Sequence, residues 1–232
     1  MNVNKIDELK VYIKDNKIDV VALTETWLNE DISNQEISID DFDIIRKDRK
    51  DSNLTRGGGV MFYIKKGLKI RILTELNKFD VESLWCEILN EFNDKVVVGV
   101  VYRRPNLSND DMTKLCEVIE TSCRERVLLL GDFNLPTIDW THLGGVTRHD
   151  DMFLEIVKDN FLTQHIMSPT RGTNILDLVI TSDSNMIENL TLCEPLVNSD
   201  HVVLMFDFIF RNTITEIIER LTIEKLMLQS NV

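Results

Sequence analysis

The chain has 232 residues, 43% hydrophobic and 28% charged, which suits one large α/β domain with a single good core better than two small ones. Its formal net charge of −13 argues against a protein that grips nucleic acid by bulk charge. No apolar run approaches the ~20 residues needed to cross a bilayer, and the polar N-terminus lacks a signal-peptide pattern, so an intracellular protein without a membrane partner is expected.

Apolar residues at Ile6, Leu9, Tyr12 and Ile13 predict a helix from Asn4 to Asn16. Asp19 to Leu23 reads as a short buried strand that runs into Thr24-Glu25-Thr26-Trp27, and Ser33 to Asp41 as loop. Gly57-Gly58-Gly59 opens a strand at Val60 to Ile64 but lacks the following Gly-Lys-Ser/Thr, so no nucleoside triphosphate site is expected. Leu84 to Ile88 and Val96 to Tyr102 predict two strands joined through the turn residues Asn93-Asp94 as a hairpin. Asp110 is a candidate cap for a helix carrying Met112, Leu115, Cys116, Ile119 and Cys123. Leu128-Leu129-Leu130 then forms a buried strand that ends in Gly131-Asp132-Phe133-Asn134, with Gly131 permitting a sharp turn. Asp150 is a candidate cap for a helix with Phe153, Ile156 and Val157 on its apolar face. Ile175 to Thr181 and Val202 to Phe208 are strand-like, and Ile214, Ile217, Ile218 and Leu221 predict an amphipathic helix or linker over 211–232. Hairpin-paired strands mixed with helix-separated ones imply two packed mixed sheets with helices outside. The four cysteines, at 86, 116, 123 and 193, form no Cys-x-x-Cys pair and are expected to be reduced thiols.

Several polar clusters sit at the edges of these strands. Asp132 and Asn134, two apart on extended chain, offer an anionic base and a neutral donor–acceptor, as hydrolysis of a phosphate ester requires; an Asx-type turn closing the strand is the plainer reading. Glu25 can leave the core to meet a hard cation such as Mg²⁺ (or Mn²⁺), or be an exposed strand-end acid. Tyr102 can reach a phosphate oxygen, with Arg103 and Arg104 as cationic donors beside it. Asp177 is costly inside so apolar a strand unless it faces a cleft or pairs, for example with Arg171. In Ser199-Asp200-His201 a carboxylate stands next to an imidazole that can hold a phosphate oxygen. The basic groups Arg46-Lys47-Arg49-Lys50 and Lys65-Lys66-Lys69-Arg71 read as solvated surface, and His142, His149 and His165 as structural.

In order, Thr24-Glu25-Thr26-Trp27, Tyr102-Arg103-Arg104-Pro105, Gly131-Asp132-Phe133-Asn134, Ile175-Leu176-Asp177-Leu178 and Ser199-Asp200-His201 resemble the endonuclease/exonuclease/phosphatase family. Gly57-Gly58-Gly59-Val60 and Ser168-Pro169-Thr170-Arg171-Gly172 resemble its apurinic-type branch from non-LTR retrotransposons. The resemblance covers about residues 4 to 208 and implies a four-layer α/β sandwich that hydrolyses phosphoesters with a divalent metal. It implies that Glu25 and Asp200 serve the metal, Asp132 the attacking water, and Asn134, Tyr102 and His201 the phosphate. It further implies that Asp200 orients His201, that Asp177 is a further active-site acid, and that Arg103, Arg104, Arg171 and Ser199 are candidates for holding substrate. The family's first strand ends in an asparagine of the metal site, whereas this chain aligns just after it; a sandwich over residues 1–210 lacking that strand, with an exposed sheet neighbour, is therefore expected. DNA is the expected substrate, which would place the protein in the nucleus. The alternatives are a small phosphoester or phospholipid headgroup as substrate, or a catalytically disabled remnant acting as a binding module.

Overall fold

A computed structural model describes residues 3–49, 57–196, 199–210 and 217–225. In chain order the elements are α1 (Val3–Asn16), β1 (Val20–Thr24), β2 (Phe42–Lys47), β3 (Val60–Lys65), β4 (Lys69–Ile72), α2 (Thr74–Asn77), β5 (Ser83–Leu89) and β6 (Lys95–Tyr102). They continue with α3 (Asn109–Ser122), β7 (Val127–Asp132), α4 (Arg148–Asp159), β8 (Thr163–Gln164), β9 (Asp177–Thr181), β10 (Ile187–Cys193), β11 (Val203–Phe210) and β12 (Ile217–Lys225). The strands form two six-stranded mixed sheets, ordered β10-β11-β12-β1-β3-β2 and β4-β5-β6-β7-β9-β8.

Strand alternation sends one set of side chains from each sheet into a shared core, including Ala22, Phe62, Phe206 and Phe208 from the first and Val98, Val100, Leu128 and Leu130 from the second. The outer face of the first sheet receives Ile6, Leu9 and Ile13 of α1 against Val21, Leu23 and Tyr63. The outer face of the second receives Met112, Leu115 and Ile119 of α3 and Phe153 and Val157 of α4 against Trp85, Val97 and Leu129. The result is the four-layer α/β sandwich expected, and β5 and β6 pair antiparallel as the hairpin signal predicted. The cysteines are free thiols, and burial pushes Cys86 up to about 12 and Cys116 and Cys123 up to about 11.

Several local expectations need correction. Ser108, not Asp110, caps α3 by accepting from the Asp111 amide. Thr147 caps α4, and Asp150 is the third helical residue of a reciprocal capping box. The strands β2, β4, β8 and β10 carry no distinct sequence signal: all four are sheet edges, charge interrupts the alternation of β2, β4 and β10, and β8 is only two residues long. Residues 217–225 form a strand, not an amphipathic helix; the rest of 211–232 lies outside the described residues. Ile217, Ile218, Thr222 and Ile223 are β-branched, and helical spacing overlaps with strand alternation over so short a stretch, so the partners decide. Those partners are β1, parallel, and β11, antiparallel. With β12 on one side and β3 on the other, β1 has no open edge, contrary to the exposed neighbour expected.

Gly131 does not make the expected turn. It lies inside β7, paired with Val101 and Leu178, at φ +132°, and a Cβ there would sit 1.9 Å from the Val101 carbonyl oxygen. Gly131→Ala is expected to destabilise the fold by roughly 3 kcal/mol, since backbone strain and overpacking act together; urea unfolding of the variant beside the parent checks it.

Candidate active site

The inward-facing rows of four strands end in a polar residue. On β1, Val20 and Ala22 are followed by Thr24; on β6, Val98 and Val100 by Tyr102; on β7, Leu128 and Leu130 by Asp132; on β9, Val179 is preceded by Asp177. Register places Tyr102 beside Asp132 and Asp132 beside Asp177 across three adjacent strands. The facing sheet brings Glu25, just past β1, and His201, just before β11, to the same end of the sandwich. Asp132 and His201 are fully buried and Asp177 and Glu25 nearly so.

Buried charge is costly without partners, and the partners are present. Asp177 Oδ2 lies 2.7 Å from His201 Nδ1. A carboxylate only accepts, so Nδ1 carries the proton and the imidazole is held in one tautomer. Asp132 Oδ1 accepts from the Asn134 amide at 3.1 Å. Asn134 has φ +48° and its Nδ2 donates to the Arg103 carbonyl at 2.9 Å, so the pair forms an Asx turn rather than sharing a side of extended chain. Glu25 Oε2 accepts from the Gly58 amide at 3.2 Å and from the Trp27 indole. Burial first, then Glu25, Asp132 and Glu82, raise the Tyr102 pKa far above the ordinary phenol value, so its hydroxyl remains a neutral donor and bonds Glu25.

Asp132, Asp177 and His201 each offer a ligand atom, all within 4.8 Å of one another. Carboxylate oxygens concentrated in a pocket closed to bulk water are a donor set that fits a hard divalent cation.

Residues 96–205 match the family model described as endonuclease–reverse transcriptase. The chain has the fold of the endonuclease/exonuclease/phosphatase proteins, and that matched segment is similar to their endonuclease branch. Among solved structures it is similar to the endonuclease domain of TRAS1, a telomere-specific non-LTR retrotransposon, with 12% identity over 90% of this chain and 94% of that one and a TM-score of 0.67. The Xenopus laevis APE2 catalytic domain matches at 13% identity, 96% and 90% coverage and a TM-score of 0.60. D. rerio TDP2 complexed with single-strand DNA product matches at 12% identity, 87% and 91% coverage and a TM-score of 0.54. No curated protein sequence matches the chain.

Within this family frame, the structure rearranges several expected partners. The carboxylate on His201 Nδ1 is Asp177, not Asp200, whose Oδ1 stands 3.9 Å from His201 Nε2. Asp200 instead pairs with Arg171 at 2.6 Å, so the Asp177–Arg171 bridge considered above is absent. Asp200, more than half exposed, also lies outside the three-residue Asp132–Asp177–His201 cluster. Arg103 is not a substrate-facing cation: it is buried, donates to the carbonyls of Phe133 and Asn134 and contacts His149 Nδ1. Arg104 pairs with Asp111 at 3.6 Å, and Ser199 Oγ accepts from the His201 amide.

Sequence reading missed Thr170, Glu82 and the inward role of Arg49. Thr170 Oγ1 accepts from the amides of Leu176 and Asp177, both at 3.0 Å, and its carbonyl accepts from Val202 at 3.0 Å, tying Asp177 to the segment that bears His201. A lone threonine carries no signal for this. Thr170→Val leaves two buried amides without an acceptor and is expected to cost about 2 kcal/mol, while Thr170→Ser stays close to the parent; denaturant melts of the two variants check it.

Proposed function

We propose that the chain is a divalent-metal-dependent phosphodiesterase that nicks DNA, using Mg²⁺ (or Mn²⁺). The carrying observation is the buried cluster in which Asp177 fixes the His201 tautomer beside Asp132. The similarity to a retrotransposon endonuclease domain and to a DNA-product complex favours DNA as substrate and, with it, a nuclear site of action. The Asp132 and Asp177 carboxylates, and Glu25 at the same end of the sandwich, would hold the cation, which would supply positive charge to the phosphate oxygens.

Asp132 orients the attacking water and takes its proton as the oxygen bonds to phosphorus. Asn134 donates to the non-bridging oxygens as negative charge grows on them, and the neutral Tyr102 hydroxyl turns its single donor from Glu25 to the phosphate to do the same. His201, anchored through Nδ1, directs Nε2 at the phosphate. The opposite P–O bond breaks, and the leaving oxygen takes a proton from solvent water. Arg104 and Arg171 lie near enough to the site's rim to meet flanking phosphates, Arg171 by leaving Asp200. The net charge of −13 favours, as a second reading, a small phosphoester on the same site.

Supercoiled plasmid incubated with the protein and Mg²⁺ is expected to convert to nicked circles, and EDTA to stop it. His201→Ala and Asp132→Asn are each expected to slow nicking roughly 100-fold or more. Hydrolysis of p-nitrophenyl phosphate with an intact plasmid would move the substrate to the second reading; neither reaction from folded protein would leave a remnant. Because the Tyr102 pKa is raised, its hydroxyl keeps its proton throughout the neutral and mildly alkaline range. Tyr102→Phe is therefore expected to lower the rate without changing the shape of the pH–rate profile between pH 6 and about 9.5.

A further inference from the structure

Glu25 does not stand in the site by its own conformation. It lies at φ +55°, as does Trp27, a region that non-glycine residues enter only at a cost. The neighbouring glycine run holds it there: the Trp27 amide donates to the Gly58 carbonyl at 2.9 Å, and the Gly58 amide returns a bond to Glu25 Oε2. That run is held in turn by Glu82, whose Oε2 accepts from the Gly59 amide at 2.8 Å. The other oxygen of Glu82 receives a fork from Arg49, Nε at 3.0 Å and a terminal nitrogen at 2.8 Å. Arg49 Cζ lies 5.8 Å from the Tyr102 ring centroid, and the Tyr102 amide donates to the Glu82 carbonyl at 2.8 Å. Gly58 is the residue that lets these groups meet: a Cβ there would be 2.2 Å from Glu82 Oε2 and 2.3 Å from Arg49 Cζ.

We infer that Glu82 and Arg49 form a positioning pair that sets Glu25 and Tyr102 for reaction, an inference that rests on the phosphodiesterase reading above. The pair is largely shielded, with side chains 17% and 11% exposed, so its two-pronged contact is stronger than a surface ion pair. Burial works against the Arg49 charge, yet the bond and ion pair with Glu82 prevail and its pKa is raised, so the guanidinium stays charged. The two residues also wall, with Tyr102 and Arg104, a cavity of about 370 Å³ beside the site. Neither touches the reacting atoms; one side of the pair fixes the backbone that grips Glu25, and the other packs against the ring of Tyr102.

The test uses the full chain and the variants Glu82→Gln, Arg49→Lys and Tyr102→Phe, alone and in pairs. Mg²⁺ binding is followed by tryptophan emission, in which Trp27 reports on Glu25, and plasmid nicking gives kcat and KM. Glu82→Gln is expected to raise the Mg²⁺ concentration for the half-maximal emission change roughly 10-fold, as outer-shell substitutions at metal sites do. Arg49→Lys is expected to lower kcat roughly 10-fold, with KM for DNA within about 2-fold, yet to add nothing in the Tyr102→Phe background, because residues acting through one another are not additive. Variants that match the parent in both readouts, or an Arg49→Lys loss that multiplies fully with Tyr102→Phe, overturn the inference. If both Glu82→Gln and Arg49→Lys unfold, as judged by near-ultraviolet circular dichroism, the pair is a folding element and the inference falls. A parent protein that neither binds Mg²⁺ nor nicks DNA removes the phosphodiesterase reading together with this one; a parent that does both, beside unaffected variants, removes this one alone.

Discussion

Burying Asp132, Asp177 and Glu25 at one end of a sandwich costs free energy that surrounding donors have to offset. Much of the local architecture is the supply of those donors. The His201 imidazole serves Asp177, the Asn134 amide serves Asp132, and the Gly58 amide, the Trp27 indole and the Tyr102 hydroxyl serve Glu25. Thr170 and Glu82 act one step further out, fixing backbone rather than meeting the site.

The site follows from how strands end. A strand that alternates inward apolar residues must at some point leave the core, and the last inward position is then half in water or pocket. Tyr102, Asp132 and Asp177 occupy that position on neighbouring strands in register, so the polar floor of the site is the terminal layer of the core itself. This couples stability to chemistry: the same β6–β7 approach that forbids a side chain at Gly131 brings Tyr102 alongside Asp132.

The cations near the site are turned inward. Lys47 donates to the carbonyls of Asn77 and Phe79, Arg49 is engaged by Glu82 and Arg103 by the carbonyls after β7, whereas Arg171, paired with Asp200, stays exposed at the rim. Positive charge here organises loops around carboxylates, which reconciles local basic clusters with a strongly acidic chain. It also explains why adjacency misled the sequence reading of Arg103 and Arg104: consecutive residues leaving a strand point to opposite sides, so one is buried and the other reaches the rim.

The sequence by itself determined the central strands other than β12, the helices of the outer layers, the hairpin β5–β6 and the strand-end positions of Glu25, Tyr102, Asp132, Asp177 and His201. These rest on local facts: hydrophobic periodicity, turn residues, and charge placed where an apolar run stops. Tertiary structure alone decided who pairs with whom. Asp177 reaches His201 across 24 residues although Asp200 is its neighbour in the chain, and Glu82 meets Arg49 across 33. It also made a strand of 217–225, because β1 and β11 offer that segment hydrogen-bonding partners on both sides. Periodicity records which face of an element is buried; it holds no information about which distant group lies opposite, and hydrogen-bond partnership depends on that.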